Sequence, residues 1–189
     1  MKTVYYTATS LDGFIAGPNN SLDWLMQLGS PEEGDYPDFI RDVGAIAMGS
    51  STYEWVLANH VHADPANPQP WPYEQPSWIF TTRTLPGIEG ADIRFARGDV
   101  RPVHQEMAEA AGGKNIWLVG GGELVGQFYD HGLLDEIIAT VTSVTLGAGA
   151  PLLPRAIIHP PLRLLSAKQL DDAFARLHYE VPRARSEAR

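Results

Sequence analysis

Residues 115–142, NIWLVGGGELVGQFYDHGLLDEIIATVT, constrain the fold more than any other part of the chain. The run Ile116-Trp117-Leu118-Val119 is short, apolar and partly β-branched, and it ends in Gly120-Gly121-Gly122. A buried strand emptying into a tight turn has this form. A helix is predicted to follow at once. Leu124, Val125, Phe128 and Tyr129 share one helical face, whereas Glu123, Gln127 and Asp130 point elsewhere. His131-Gly132 supplies the stop. Glu136-Ile137-Ile138-Ala139-Thr140-Val141 then reads as a second strand. The unit is strand, glycine turn, helix, strand.

The glycines have two readings. They permit backbone angles that side chains forbid, and they let a ligand lie against bare amides at a helix N-terminus, where the helix dipole favours a pyrophosphate. Alternatively, they only make a tight corner. The motif alone leaves both open, because G-x-G-x-x-G breaks at Val125 and Gly113-Lys114 runs into Asn115 without a Walker pattern.

Elsewhere the same alternation recurs. Lys2 to Thr9 is predicted as a first strand, Ser10-Leu11-Asp12-Gly13 as a turn, and Phe14-Ile15-Ala16 as an apolar segment ended by Gly17-Pro18-Asn19-Asn20. Asp23-Trp24-Leu25-Met26 starts a short helix or crosses the sheet edge as a loop, and Pro31-Glu32-Glu33 resembles a helix opening with Phe39, Ile40 and Val43 on its apolar face. Gly44 to Met48 is a buried strand ending at Gly49. Ser50-Ser51-Thr52 then lead into a helix from Tyr53, where hydroxyls cap helices or bind phosphate; the residues alone favour capping. Ala58 to Pro76, with five prolines, is expected to be a surface loop.

Trp78 to Thr81 and Ala91 to Ala96 are further strands, and Val103, Met107 and Ala110 mark a helix over 100–111. Leu146 to Pro151 reads as a mobile glycine loop. The chain closes with two strands around Leu170-Asp171-Asp172. Strands alternating with helices imply a largely parallel sheet wrapped by helices, with an antiparallel C-terminal hairpin. In such a sheet Gly49–Thr52, Thr81–Arg83 and Gly120–Glu123 all leave strand carboxyl ends along one rim, where α/β proteins place ligands.

A chain of 189 residues suits one domain, 1–182, followed by a charged tail, 183–189. The absence of cysteine excludes a disulfide framework, a thiol nucleophile and every cysteine-ligated metal, and no metal site is expected. A net charge of −9 argues against nucleic acid and anionic membrane as partners. No apolar run spans a bilayer, and a cytoplasmic location is expected.

TATSLDGFIA, AIAMGSSTYEW, WIFTTR, IWLVGGGELVGQF and LLDEIIATVTSVTLGAGAPLL follow one another over residues 3–154. In this order they resemble the dihydrofolate reductase-like superfamily, above all the reductase domain of riboflavin-pathway deaminase-reductases and its stand-alone relatives. The resemblance implies an α/β fold with a mixed, mostly parallel eight-stranded sheet and an NADPH-dependent reductase, often a homodimer. It places Ala8 and Ile15 near the nicotinamide, and Gly49, Ser50, Ser51 and Thr52 at the cofactor phosphates. Thr81, Thr82 and Arg83 would hold the adenosine end, and Gly120, Gly121, Gly122, Glu123 and Leu124 the pyrophosphate. Arginine suits a 2′-phosphate, so Arg83 favours NADP over NAD.

Two departures bear on the substrate. Val119 stands where riboflavin-pathway reductases commonly carry glutamate, and the folate-binding acid of folate reductases has only Glu33, Asp35 and Asp38 as candidates. The missing cysteines also exclude a zinc deaminase half. The expected activity is hydride transfer to a small heterocyclic or sugar-derived molecule, such as 5-amino-6-(5-phosphoribosylamino)uracil. Asp12 is the candidate for proton relay, and Trp24 and Thr140 for substrate contact. The alternatives are a dihydrofolate reductase proper and a non-catalytic NADP-binding protein.

Overall fold

The computed structural model describes residues 1–29 and 36–182. The helix opening at Pro31-Glu32-Glu33, the candidate acids Glu33 and Asp35, and the tail 183–189 lie outside the described residues. Among the described residues ten strands form: β1 Thr3–Thr9, β2 Phe14–Ala16, β3 Val43–Gly49, β4 Ser77–Phe80, β5 Ile93–Ala96, β6 Asn115–Gly120, β7 Glu136–Thr142, β8 Ala150–Pro151, β9 Arg163–Gln169 and β10 Phe174–Glu180. The helices are α1 Asp23–Leu28, α2 Tyr36–Arg41, α3 Ser50–Val56, α4 Val100–Ala110 and α5 Gly122–Asp130. Among the described residues none is long and apolar enough to cross a membrane.

Eight strands make one sheet in the order β5-β4-β3-β6-β1-β7-β10-β9. Pairing is parallel from β5 through β7 and antiparallel for β10 against β7 and β9. This is the mixed, mostly parallel sheet with a closing hairpin that the sequence implied. Each face buries its own cluster. Val103, Met107, Val125 and Phe128 of α4 and α5 pack over Tyr5, Ala47 and Leu118 on one side, and Tyr53 and Val56 of α3 pack over Ile46, Met48 and Ile79 on the other. Strands buried on both faces read as continuous apolar runs, which is why Ala45 to Met48 and Ile116 to Leu118 lack alternation.

Three expectations are corrected. Residues 58–76 are not all surface loop: α3 runs on into a π-type turn, Leu57–Val61, and Trp71 is buried with its indole N–H donating to Ser77 Oγ at 3.3 Å. In α4 the buried position after Met107 is Ala111, and Ala110 is exposed, so the apolar stripe is one residue out of step with the expected one. The glycine loop 146–151 is tied down. Ala150–Pro151 pairs with β2, the Leu11 amide donates to the Val144 carbonyl at 2.7 Å, and Gly149 passes so close to Ala16 that a Cβ there would stand 2.0 Å from its carbonyl oxygen.

Candidate functional site

The parallel register aligns three strand ends. Gly49 sits beside Phe80, Met48 beside Gly120, and Phe80 beside Ala96. The segments after β3, β4 and β6 therefore leave the sheet along one rim. The β3–β6 register also slips by one residue, from Ala47–Leu118 to Met48–Gly120, which bulges Val119 out of the ladder.

Below this rim lies a cavity of about 520 Å³. Its lining includes Ser51, Thr52 and Gly120 to Glu123, together with Ala8, Ile15, Leu22, Leu25, Trp55, Val56, Tyr73 and Val119. Thr7, Ala16, Asn20, Ala150, Pro151 and Pro154 complete the wall. Ser51 and Thr52 do not cap α3: the N-cap position is Gly49, and no side chain caps the helix, which corrects the reading that capping is their role.

The peptide between Gly120 and Gly121 is cis, and the surroundings of the three glycines differ sharply. Gly121 has φ −64° and ψ 154°, and none of the three has a left-handed φ. A Cβ on Gly122 would stand 2.3 Å from the Pro151 carbonyl oxygen and 2.5 Å from that of Leu152, so β8 can lie against α5 only if residue 122 is bare. A Cβ on Gly121 would meet nothing within 4 Å. One glycine packs against protein; the next faces open cavity.

Charge is scarce in the cavity. Among the described residues no lysine, arginine or histidine lines it, and the titratable side chains of the lining are Glu123 and Tyr73. Arg155 holds Glu123 through bonds of 3.0 and 2.9 Å and also grips Asp130, so the Glu123 carboxyl lies below the usual carboxylate range. The guanidinium lies over Gly126, where a Cβ would come within 2.6 Å of its central carbon. Burial pushes the Tyr73 hydroxyl up, so it is protonated at neutral pH. Its ring meets Trp71 and Trp117 edge-on at 5.3 and 5.5 Å.

Of the residues singled out from the sequence, Ala8, Ile15, Ser51, Thr52, Gly120, Gly121, Gly122 and Glu123 line the cavity. Gly49 and Ser50 adjoin it at the end of β3. Thr81, Thr82 and Arg83 follow β4 on the same rim, outside the lining; Thr81 Oγ1 accepts from the Arg83 amide at 3.0 Å. Arg83 is held bidentately by Glu54 at 2.9 and 2.6 Å. Leu124 belongs to the core beneath α5. Thr140 is buried in β7 between Ala8 and Arg176. Trp24 lies between the lining residues Leu22 and Leu25, and its indole N–H is buried without a partner among the described residues.

Asp12, the candidate for proton relay, lies outside the cavity lining. Its carboxylate accepts from Ser10 Oγ at 2.6 Å and from the amides of Leu146 and Gly147 at 3.0 and 2.7 Å, clamping the β1–β2 turn to the loop before β8. The Ser10 hydroxyl, then the two amides, lower its pKa to about 2, so the contacts favour the carboxylate form. A folded-state pKa below the unfolded value, about 3.9, means that the clamp stabilises fully above that pH and is lost as pH falls towards 2. Asp12→Asn is therefore expected to flatten the acid limb of a melting-temperature profile. An unchanged acid limb would show that the charge contributes nothing.

Trp55, Tyr73, Leu22 and Leu25 were not singled out. Trp55 was legible, since it lies one turn beyond Ser51 on the same helical face. Tyr73, in an aperiodic proline-rich stretch, carried no signal.

Residues 56–175 match the RibD C-terminal domain family. YwjB of Bacillus subtilis, an uncharacterized protein, is 34% identical over 178 residues, covering 94% of this chain and 97% of its own. A Shewanella sp. PV-4 protein provisionally assigned to riboflavin biosynthesis superposes with a TM-score of 0.77 at 24% identity, over 97% of this chain and all of that one. Dihydrofolate reductase from Enterococcus faecalis, solved with NADP(H), superposes with a TM-score of 0.59 at 14% identity, over 95% of both chains. These two structures share the fold.

Proposed function

The chain belongs to the RibD C-terminal domain family, and from that premise we propose that it is an NADPH-dependent oxidoreductase acting on a small ring-containing substrate. The observation that carries the reading is the open space above Gly121 at the N-terminus of α5, beside the uncapped hydroxyls of Ser51 and Thr52. A pyrophosphate in a cavity without cationic side chains needs backbone amides and hydroxyls, and these supply them. Bound there, NADPH would supply the hydride. The chain's part is to hold the nicotinamide near Ala8 and Ile15, exclude water with Leu25, Trp55 and Val56, and provide a proton.

Tyr73 replaces Asp12 in that last role, because it lines the cavity and keeps its proton. Arg83, paired with Glu54 after β4, is the candidate for holding the adenosine 2′-phosphate. The Glu54 carboxylate competes with a 2′-phosphate for the guanidinium, and an exposed pair of this kind is weak enough to exchange. The exposed edge strand β9, with Leu164 and Leu165 uncovered, supports the expected homodimer.

Titration with NADPH, followed by its fluorescence, tests the cofactor assignment; no binding at millimolar cofactor would sink it. Arg83→Ala should weaken NADPH about tenfold more than NADH, and Glu54→Gln should tighten NADPH several-fold, as expected for a charge-assisted phosphate contact. Equal losses for both cofactors in the first variant would remove the phosphate role of Arg83. Oxidation of NADPH with 5-amino-6-(5-phosphoribosylamino)uracil or with dihydrofolate compares the two reference reactions.

A further inference from the structure

Among the described residues the cavity has no counter-charge for a phosphorylated substrate. Its wall includes Ala8, Leu25, Trp55, Val56, Tyr73 and Val119, and no described lysine, arginine or histidine lines it. The described carboxylate in the lining, Glu123, follows the glycines and is already paired with Arg155. Arg176 is not part of the wall. It is 7% exposed, and its guanidinium lies over the Tyr6 ring and donates to the Tyr6 hydroxyl at 2.9 Å.

A phosphate monoester carries a charge of about −2 at neutral pH, and moving it beside Leu25, Val56 and Val119 without a cation incurs a desolvation cost that nothing in the wall returns. The amides beneath the glycine rim are no substitute, since under the cofactor reading they are taken by the pyrophosphate. What the wall does offer is aromatic surface. Trp55 and Tyr73 both line the cavity, and Tyr73 is fixed by its edge contacts with Trp71 and Trp117. Aromatic side chains bind flat, uncharged ring systems through area and ring geometry rather than charge.

We propose that the substrate of this site is an uncharged, flat, unphosphorylated ring molecule held against Trp55 and Tyr73. This deepens the reductase reading and rests on it for the cofactor's place in the cavity. It sets this chain apart from an enzyme that recognises a ribose phosphate, and Val119, apolar and bulged into the cavity, is part of the same selection.

Riboflavin and FMN test it as a matched pair, identical except for the phosphate. Their binding to the chain in the presence of saturating NADP⁺, which keeps the glycine amides occupied, is read from quenching of flavin fluorescence. Riboflavin is expected to bind at least tenfold more tightly than FMN, with Trp55→Ala losing tenfold or more in riboflavin affinity and Trp55→Phe recovering most of it. FMN binding as tightly as riboflavin, no riboflavin binding at millimolar protein, or an unaffected Trp55→Ala would each overturn the proposal. NADPH titrated into flavin-free and cofactor-free protein reports separately on the cofactor reading. Riboflavin selectivity without NADPH binding refutes that reading alone, and NADPH binding without riboflavin selectivity refutes the substrate class alone.

Discussion

Gly122→Ala is expected to lower the melting temperature by roughly 5–10 °C, while Gly121→Ala, one residue away, leaves it within about 4 °C of the parent and weakens NADPH at least tenfold. The two glycines are alike in sequence and opposite in surroundings. At position 122 a methyl group would sit 2.3 and 2.5 Å from two backbone carbonyl oxygens, those of Pro151 and Leu152. Backbone cannot swing aside as a long side chain can. Either β8 or α5 must shift, at the cost of about 2–3 kcal/mol typical of overpacking, and in a domain of this size each kcal/mol moves the midpoint by about 2–4 °C.

At position 121 the methyl enters empty space with φ already at −64°, a value any residue adopts. Its structural cost is the loss of a favourable N-cap residue, about 1 kcal/mol or less. The same methyl occupies the place where a pyrophosphate would approach the α5 amides, so the loss appears in binding. Thermal melts and NADPH titrations of the two variants separate the effects. Equal melts would contradict the packing role of Gly122, and undiminished NADPH affinity in Gly121→Ala would remove the cradle from the site.

The rim was legible because each of its strands writes the same signature: an apolar run buried on both faces, then glycine or small polar residues where the chain leaves the sheet. Ala45 to Gly49 and Ile116 to Gly120 show it plainly, and parallel pairing does the rest. Less legible was what a residue in that signature is for. Sequence reading credits Gly120 to Gly122 with conformational freedom; the Gly120–Gly121 peptide is cis, but none of the three has a left-handed φ, and the constraint on Gly122 comes from β8, some thirty residues further along. Asp12 shows the same limit. Its sequence neighbours place it beside the nicotinamide, whereas its carboxylate is turned to the amides of Leu146 and Gly147, a contact across more than 130 positions. Tyr73 is the extreme case. It reaches the cavity from a stretch without helical or strand period, and only its packing on Trp71 and Trp117 places it there.

That placement makes Tyr73→Phe the most informative change for the chemistry: kcat is expected to fall about 100-fold with NADPH affinity within twofold of the parent. Hydride arriving at a polarised double bond leaves negative charge on the neighbouring atom, and a proton must follow. Val119 has none to offer. Glu123 is ionised by its pairing with Arg155, and Asp12 is ionised and outside the lining. Among the described residues Tyr73 is the lining side chain left with an ionisable proton, and burial raises its pKa, so it stays protonated through the neutral range. A positioned general acid contributes about 10²- to 10⁴-fold, and the lower figure suits a weak acid such as a buried phenol. With its pKa raised above the usual tyrosine value, kcat should be independent of pH between about 6 and 9. The phenylalanine variant, which must draw its proton from water, should instead gain activity as pH falls. Phenylalanine keeps the edge contacts that place the ring, so a lost fold is not the expected cause of a lower rate, and melting data on the variant check that. A Tyr73→Phe enzyme with the parent's kcat and a flat pH profile would assign the proton to solvent and leave Tyr73 as one wall of the cavity.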